Sequence, residues 1–533
     1  MRHAFSMAGA AVAAVPAHAQ RTEISPYVEV GQVLTADLNS GDVLTYSQLT
    51  AGIDASVTAE RVAVQANYQY QKLIPWDDDL SDTDVHSGLA RASARIGRSL
   101  TLEGGALATR ARSDNRGAAP GILAGNLNNI AQLYSVYAGP TLSTRIGPAA
   151  ATADYRFAYN KVEVPGSPDL IPGQPRLDYS DDATSHLATA SVGTRAGTLL
   201  PVGLSASGAY AREDASQLDQ SFEGMFVRAD AVLPVTREVA VVGGIGWDNI
   251  EVRQRDPLIG ADGFPVLDGA GRFVTDPASP VRLAYDIDGI IWDAGVMWRP
   301  SPRTFVEARV GRRYGTISYT ASASWQTGPG AGLQIGVYDS VSSFGRQLTN
   351  SLAALPTSFF EGGDPFGDRY NGCVFGGGTT PGGGAQPGGC LTPALQSVST
   401  ANFRARGVDA VYAVTYGNTR LGVGGGYANR RYYLPPVPGA VVYRSSDESY
   451  YAQLFAQAAI DQRSSVTGDL YANYFTSGIA GAPDVWGAGG QASYYRGFGR
   501  AYGSVSGGLY TFDASGQEAD WIAQALLAFG WRF

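Results

Sequence analysis

The sequence predicts an all-β chain, a transmembrane antiparallel β-barrel of about 22 strands (range roughly 16–22), with one long outer Gly-rich insert. Three observations predict it. Segments in which apolar and polar residues alternate recur down the whole chain. Their connections are alternately short and long. No run of eighteen apolar residues occurs, which excludes membrane-spanning helices, while 68 glycines and 29 tyrosines suit many short strands better than helices. A soluble chain of 533 residues would normally divide into several domains, whereas a large barrel uses that length as one closed sheet.

The first element is a leader. "MRHAFSMAGAAVAAVPAHAQ" has Arg2 as its basic region, an apolar stretch from Ala4 to Val15, and Ala17-His18-Ala19 as a small-x-small cleavage site. The expectation is a signal peptide at 1–19 and a barrel at 20–533, with 533 − 19 = 514 residues left after cleavage. Such a chain is bound for the bacterial outer membrane.

Strand-like segments then start near 24, 44, 61, 85, 99, 130, 149, 184, 202, 220, 239, 282, 304, 316, 332, 402, 420, 449, 464, 486, 499 and 519. Every second connection is short, among them "TAE" at 58–60, "GPA" at 147–149, "PSPR" at 300–303, "GNT" at 417–419 and "GFG" at 497–499. The intervening ones are mostly longer, as at 73–84, 112–129, 163–183, 253–281, 345–401 and 434–448. Short periplasmic turns alternating with long outer loops are the rhythm of an outer-membrane barrel. Taking 304–326 as one strand breaks that rhythm. Splitting it at Gly315 restores both the alternation and an even strand number.

The two faces of each strand differ in chemistry. In "RVAVQANYQYQ", Val62, Val64, Ala66, Tyr68 and Tyr70 share one face, with Arg61, Gln65, Asn67, Gln69 and Gln71 on the other. Ala153, Tyr155, Phe157 and Tyr159 stand against Asp154, Arg156 and Asn160, and Val306, Ala308 and Val310 against Glu307, Arg309 and Arg313. An Arg or Lys facing lipid at midplane costs about 2–4 kcal/mol, so the charged faces belong inside. The expected lumen lining is Gln65, Asn67, Gln69, Arg91, Arg95, Asp154, Arg156, Glu307, Arg309 and Arg313. A lining of this polarity implies water or a polar plug, not a dry core.

The chain ends "ADWIAQALLAFGWRF", which sets Trp521, Ala523, Ala525, Leu527, Phe529, Trp531 and Phe533 on one apolar face. Trp531 and Phe533 fall where the periplasmic aromatic girdle lies. Trp298 fits the same interface and Trp521 the opposite one. The terminal aromatic with alternating apolar residues also resembles the C-terminal signature by which outer-membrane proteins are recognised for assembly, so the barrel-assembly machinery is an expected partner beside outer-membrane lipid and lipopolysaccharide.

"WRPSPRTFVEARVGRRYG" at 298–315 and "GVYDSVSSFGRQL" at 336–348 resemble the outer-membrane β-barrel family found alongside exopolysaccharide and PEP-CTERM protein-sorting clusters. The resemblance rests on the W-x-P-S-P-R-T turn, the V-E-A strand after it and the Y-x-D-x-V segment. It covers about fifty residues closely and the rest generally. It implies an envelope role without a defined reaction, and the Gly-rich insert departs from it.

Chemistry has few candidates. Formal charge is −9, two lysines (Lys72 and Lys161) occur, and no basic cluster interleaved with aromatics is present, so nucleic acid is not an expected partner. His86 and His186 adjoin Ser87 and Ser185 near the outer rim, but strand neighbours point to opposite faces, so neither pair makes a hydrolytic contact by itself. The acidic loop 76–84, with Asp77, Asp78, Asp79, Asp82 and Asp84, lacks the Gly turn and distal Glu of a calcium loop and reads as a solvated loop bridged to lipopolysaccharide by divalent ions. Cys373 and Cys390 are the two cysteines, and a disulfide between them is expected in the periplasmic and outer compartments. Residues 346–400 should begin with a short helix and then, with twelve glycines between Glu361 and Cys390, form either a surface loop or a constriction folded into the mouth.

No catalytic residue, metal site or cofactor is expected. The functional expectation is a non-enzymatic channel for a hydrophilic solute or polysaccharide, linked to exopolysaccharide export. A structural or surface-interaction barrel with a closed lumen and a rim-site lipid hydrolase are the alternatives. A receptor driven by the energy-transducing periplasmic machinery is disfavoured, since no globular plug precedes the first strand.

Overall fold

The computed structural model describes residues 19–76, 83–113, 130–164, 178–261, 263–354, 401–435, 446–478, 483–514, 516 and 518–533. Twenty-two strands follow in chain order: β1 Ala19–Asp37, β2 Val43–Ala59, β3 Val62–Pro75, β4 Thr83–Arg95, β5 Leu100–Arg112, β6 Ile130–Ile146, β7 Ala149–Glu163 and β8 Asp182–Thr194. Then come β9 Gly203–Ala215, β10 Gln220–Pro234, β11 Val239–Gln254, β12 Arg282–Ser301, β13 Thr304–Arg313, β14 Thr316–Gly328, β15 Ala331–Ser342 and β16 Phe403–Tyr416. The last are β17 Thr419–Tyr432, β18 Ser446–Ala459, β19 Ser464–Ser477, β20 Val485–Phe498, β21 Ala501–Ala514 and β22 Asp520–Arg532. The predicted starts match these to within three residues, except that β1 begins at Ala19 instead of 24.

Each strand pairs antiparallel with its chain neighbours, and β22 returns to β1 in register from Tyr27↔Arg532 to Asp37↔Ile522. The sheet therefore closes into a barrel. Gly315 turns the chain between β13 and β14 at φ 73°, a left-handed conformation that glycine adopts at no steric cost, so the predicted split of 304–326 holds. The expected signal peptide, 1–19, lies outside the described residues apart from Ala19.

Alternation sorts the faces as the sequence implied. Leu527 on β22 and Phe533 just after it are 62% and 66% exposed, while Ala528 and Gln524 on the opposite face of β22 are 3% and 4% exposed. Outward apolar side chains such as Val30, Leu49, Ile245, Ile290 and Val505 continue this belt around the sheet. A closed sheet satisfies its backbone groups internally, and an apolar exterior then needs lipid around it.

Many strand glycines answer inward aromatics. A Cβ at Gly52 would meet the Tyr27 ring at 2.2 Å, and one at Gly530 the Tyr502 ring at 2.2 Å. The hydroxyl end of each ring occupies the space that a side chain on the next strand would take, so these positions require glycine.

One part of the wall departs from a simple cylinder. β15 pairs with β14 only up to Ala321↔Val337, yet continues with β16 to Ser342↔Phe403. Beyond the short β13–β14 hairpin it is buried on both faces, and Val341 joins an inner apolar cluster with Leu187, Phe222, Phe226, Ile250 and Ile291. Helix α1, Phe344–Ala354, follows directly. Its Phe344 and Leu348 pack on Leu133 and Val162, and Leu352 on Tyr137 and Ala158, all on the inner face of β6 and β7. The expected short helix is thus present two residues earlier than predicted and folded into the mouth; residues 355–400, with Cys373 and Cys390, lie outside the described residues.

Candidate functional site

The candidate site is the inner wall. Its most connected part is a five-charge cluster on β10, β12 and β13. Arg309 donates to Glu307 (2.5 Å), Asp230 (2.9 Å) and Asp293 (3.1 Å), and Arg228 donates to Asp230 (2.7 Å) and to both oxygens of Asp293 (2.5 and 2.7 Å). These side chains are 9–20% exposed. Two guanidiniums face three carboxylates, so the cluster carries one net negative charge, beside a cavity of about 110 Å³ that Ser318 and Ser322 also line.

Above it the pairing continues toward the outer mouth. Arg313 meets Asp248 (3.2 Å) and stands over the rings of Phe226 and Tyr314. Arg404 makes a two-pronged contact with Asp339 (2.7 Å on each arm) and reaches Thr316 on the short hairpin, tying the inward bend of β15 and β16 to the wall. Arg430 holds Asp447 in the same way on β17 and β18. Planar guanidinium and carboxylate groups match each other in two parallel hydrogen bonds, which fixes orientation as well as attraction.

The other predicted residues fall on the same inner face but in separate groups. Arg91, 2% exposed, donates to the Tyr137 hydroxyl (3.1 Å), and Arg156 lies 5.3 Å from the centre of the same ring. Asp154 accepts from Thr189 (3.0 Å). On β3, Gln69 accepts from Tyr27 of β1 (3.1 Å), Asn67 bonds Asp54, and Gln65 is exposed toward the lumen opposite Arg91. Arg95 is exposed at the periplasmic end of β4. So Glu307 and Arg309 touch, as do Arg91 and Arg156 through Tyr137, while Asn67 and Gln69 bond other partners, Asp54 and Tyr27. Asp230, Asp293, Arg228, Asp248, Asp339 and Arg404 were missed by the sequence reading, although parity puts Arg228 and Asp230 opposite Val227, Ala229 and Ala231, and Asp293 opposite Ile290 and Trp292.

The histidines sit on the exterior. His86 Nδ1 meets the Tyr68 hydroxyl (2.7 Å) among Tyr70 and Tyr134, and His186 Nδ1 meets Tyr155 (2.8 Å) beside Phe157. Ser87 and Ser185 point the other way. Each histidine is a polar tip in an aromatic girdle. In the acidic loop, Asp84 accepts from Tyr70 and Lys72; Asp77, Asp78, Asp79 and Asp82 lie outside the described residues. Among the described residues no group of three or more His, Cys, Asp or Glu converges as metal ligands. Trp298, Trp521, Phe529, Trp531 and Phe533 are all exposed on the outer surface.

A closed sheet with a charged interior and an apolar belt between aromatic girdles has one stable setting. The chain is a bacterial outer-membrane β-barrel. No family model and no curated protein matches the sequence. Solved structures similar to it include the ferric-catecholate import receptor Fiu of E. coli K12 in its open form, at 12% identity over 97% of this chain and 82% of the receptor, TM-score 0.45. The FrpB iron transporter of Neisseria meningitidis is similar at 9% identity over 97% of this chain and 83% of that one, TM-score 0.46. OpdQ of Pseudomonas aeruginosa is similar at 9% identity over 96% and 97%, TM-score 0.32.

Proposed function

We propose that this barrel is a non-enzymatic conduit for hydrophilic solutes, serving exopolysaccharide export. The observation that carries the reading is the chemistry of the inner wall: amides such as Gln65 and Asn67 are exposed on the lumen side, and the charged groups of β10–β13 are already paired. Paired charges and neutral amides can pass hydroxyl-rich solutes without holding them tightly. The export role is supported by the resemblance of 298–315 and 336–348. Lipopolysaccharide around the outer rim and the barrel-assembly machinery at Phe533 are the partners this reading requires.

A second reading, a structural barrel with a closed lumen, is favoured by one feature: β15, α1 and β16 fold inward and bury Val341, Leu348 and Leu352 against the far wall. Planar-bilayer recording separates the two. The conduit should show stepwise conductance, larger after deletion of 361–390. A folded protein that stays silent with and without that deletion would establish the structural reading instead.

A further inference from the structure

The two ends of the lumen differ in charge. The ten periplasmic turns contain seven arginines against three carboxylates, Glu60, Glu238 and Asp461, while the eleven outer connections contain nineteen carboxylates against seven arginines. Within the basic end, a pocket of about 1150 Å³ opens on the inner wall between the turns at 235–238, 302–303 and 329–330. Arg237, Arg299, Arg303 and Arg420 line it, with Glu238 as the one lining carboxylate.

These arginines differ from those above them. Arg228, Arg309, Arg313, Arg404 and Arg430 each meet a carboxylate, whereas among the described residues Arg237, Arg299, Arg303 and Arg420 form no ion pair. Arg299 lies against the Phe305 ring, 5.1 Å from its centre, and Arg420 is half-buried opposite Thr415. Gathering four guanidiniums around one space is repulsive, and an anion entering it relieves that repulsion. The rest of the lining is rich in hydroxyl and amide groups, Ser322, Ser324, Gln326, Gln334 and Thr415.

We propose that this pocket binds an anionic, polyhydroxylated solute, a carboxylate- or phosphate-bearing saccharide, entering from the periplasm. The guanidiniums take the anion and the hydroxyl and amide groups take the sugar hydroxyls. This names a substrate class for the conduit and rests on that reading, but binding can be measured without conductance.

The test is calorimetric titration of the purified barrel in neutral detergent with tetragalacturonate, maltotetraose and inorganic phosphate. Tetragalacturonate should bind, and maltotetraose should bind about tenfold more weakly or not at all. Competition by phosphate as strong as by the uronate assigns the phosphate form; weaker competition assigns the carboxylate form. R299Q/R420Q should weaken binding about tenfold or more, and R299K/R420K should restore most of it, while R98Q, on the β4–β5 turn outside the pocket, leaves it unchanged. If the double glutamine variant does not assemble, R420Q alone with a salt titration of the native protein replaces it, binding being expected to weaken as salt rises. Equal affinity for charged and neutral tetrasaccharides, or equal loss in R98Q and R299Q/R420Q, would overturn the site. Binding by an electrically silent barrel would overturn the conduit and keep the site; conductance without binding would do the reverse.

Discussion

Arg309→Gln should destabilise the barrel measurably, because its guanidinium bonds three carboxylates at once while only 13% of the side chain is exposed. Removing one partner from a buried ionic cluster costs about 3–5 kcal/mol, since the charges left behind are neither paired nor hydrated. Here Asp230 and Asp293 are 20% and 17% exposed, so lumen water recovers part of that loss. The expected cost is about 2–3 kcal/mol. Glutamine keeps the stem and a donor, which limits the effect to the charge. The variant leaves Arg228 alone against Asp230, Asp293 and Glu307, so adding Asp230→Asn should give back about 1 kcal/mol in a double-mutant cycle. Urea unfolding of protein reconstituted in detergent, followed by tryptophan fluorescence, reads both numbers. If Arg309→Gln unfolds within about 0.5 kcal/mol of the native protein, the cluster is solvated and the network holds nothing together.

Four further outcomes are expected. Leu352→Ala removes a side chain that is 1% exposed and should loosen α1 from β6 and β7 by about 2–4 kcal/mol, seen as faster hydrogen exchange of α1 and larger conductance; unchanged exchange would show that the helix is held elsewhere. Deleting Phe533 should lower the heat-modifiable barrel in the outer membrane, and normal assembly would remove the terminus as a recognition end. Thiol labelling without reductant should find neither Cys373 nor Cys390 free, a ring worth about 3 kcal/mol by chain entropy; full labelling would exclude the bond. The Asp461 carboxyl should titrate below the usual range, because the Arg463 amide donates to it at 2.7 Å and Ser464 adds to this. The turn's support is then complete above the ordinary carboxylate pKa and fades as pH falls through the lowered one, a course that carboxyl NMR would contradict by showing an ordinary midpoint.

The strand count and faces were legible because a closed sheet in lipid leaves few choices: side chains alternate with period two, and a charge on the wrong face is costly. Glu307, Arg309 and Arg313 could thus be placed inside from "VEARVGRR" alone. Their partners could not. Asp230 reaches Arg309 across β11 and β12, so the contact depends on register and stagger between strands, which no local pattern encodes. The inward turn of β15 was hidden for another reason: Val341 and Leu348 look like any apolar residues near a loop, and only the short β13–β14 hairpin beneath them makes room for the bend. The glycine–aromatic pairs are likewise relations between strands. In the sequence Gly52 is one glycine among many, and only beside Tyr27 does its missing side chain become useful.

Every ladder in this sheet joins neighbours in the chain except the one between β1 and β22, whose partners Tyr27 and Arg532 stand at opposite ends of the sequence. Closing a ring of about 500 residues instead of a hairpin of about 30 costs roughly four doublings of loop length, about 2.4 kcal/mol of additional entropy. That cost falls on a single step, the pairing of β22 with β1. Until it is taken, two complete strand edges with apolar faces stand open, each able to pair with another chain. The seam is therefore where self-association competes with closure, so a host that makes this barrel must shield those two edges more urgently than any of the other twenty-one ladders.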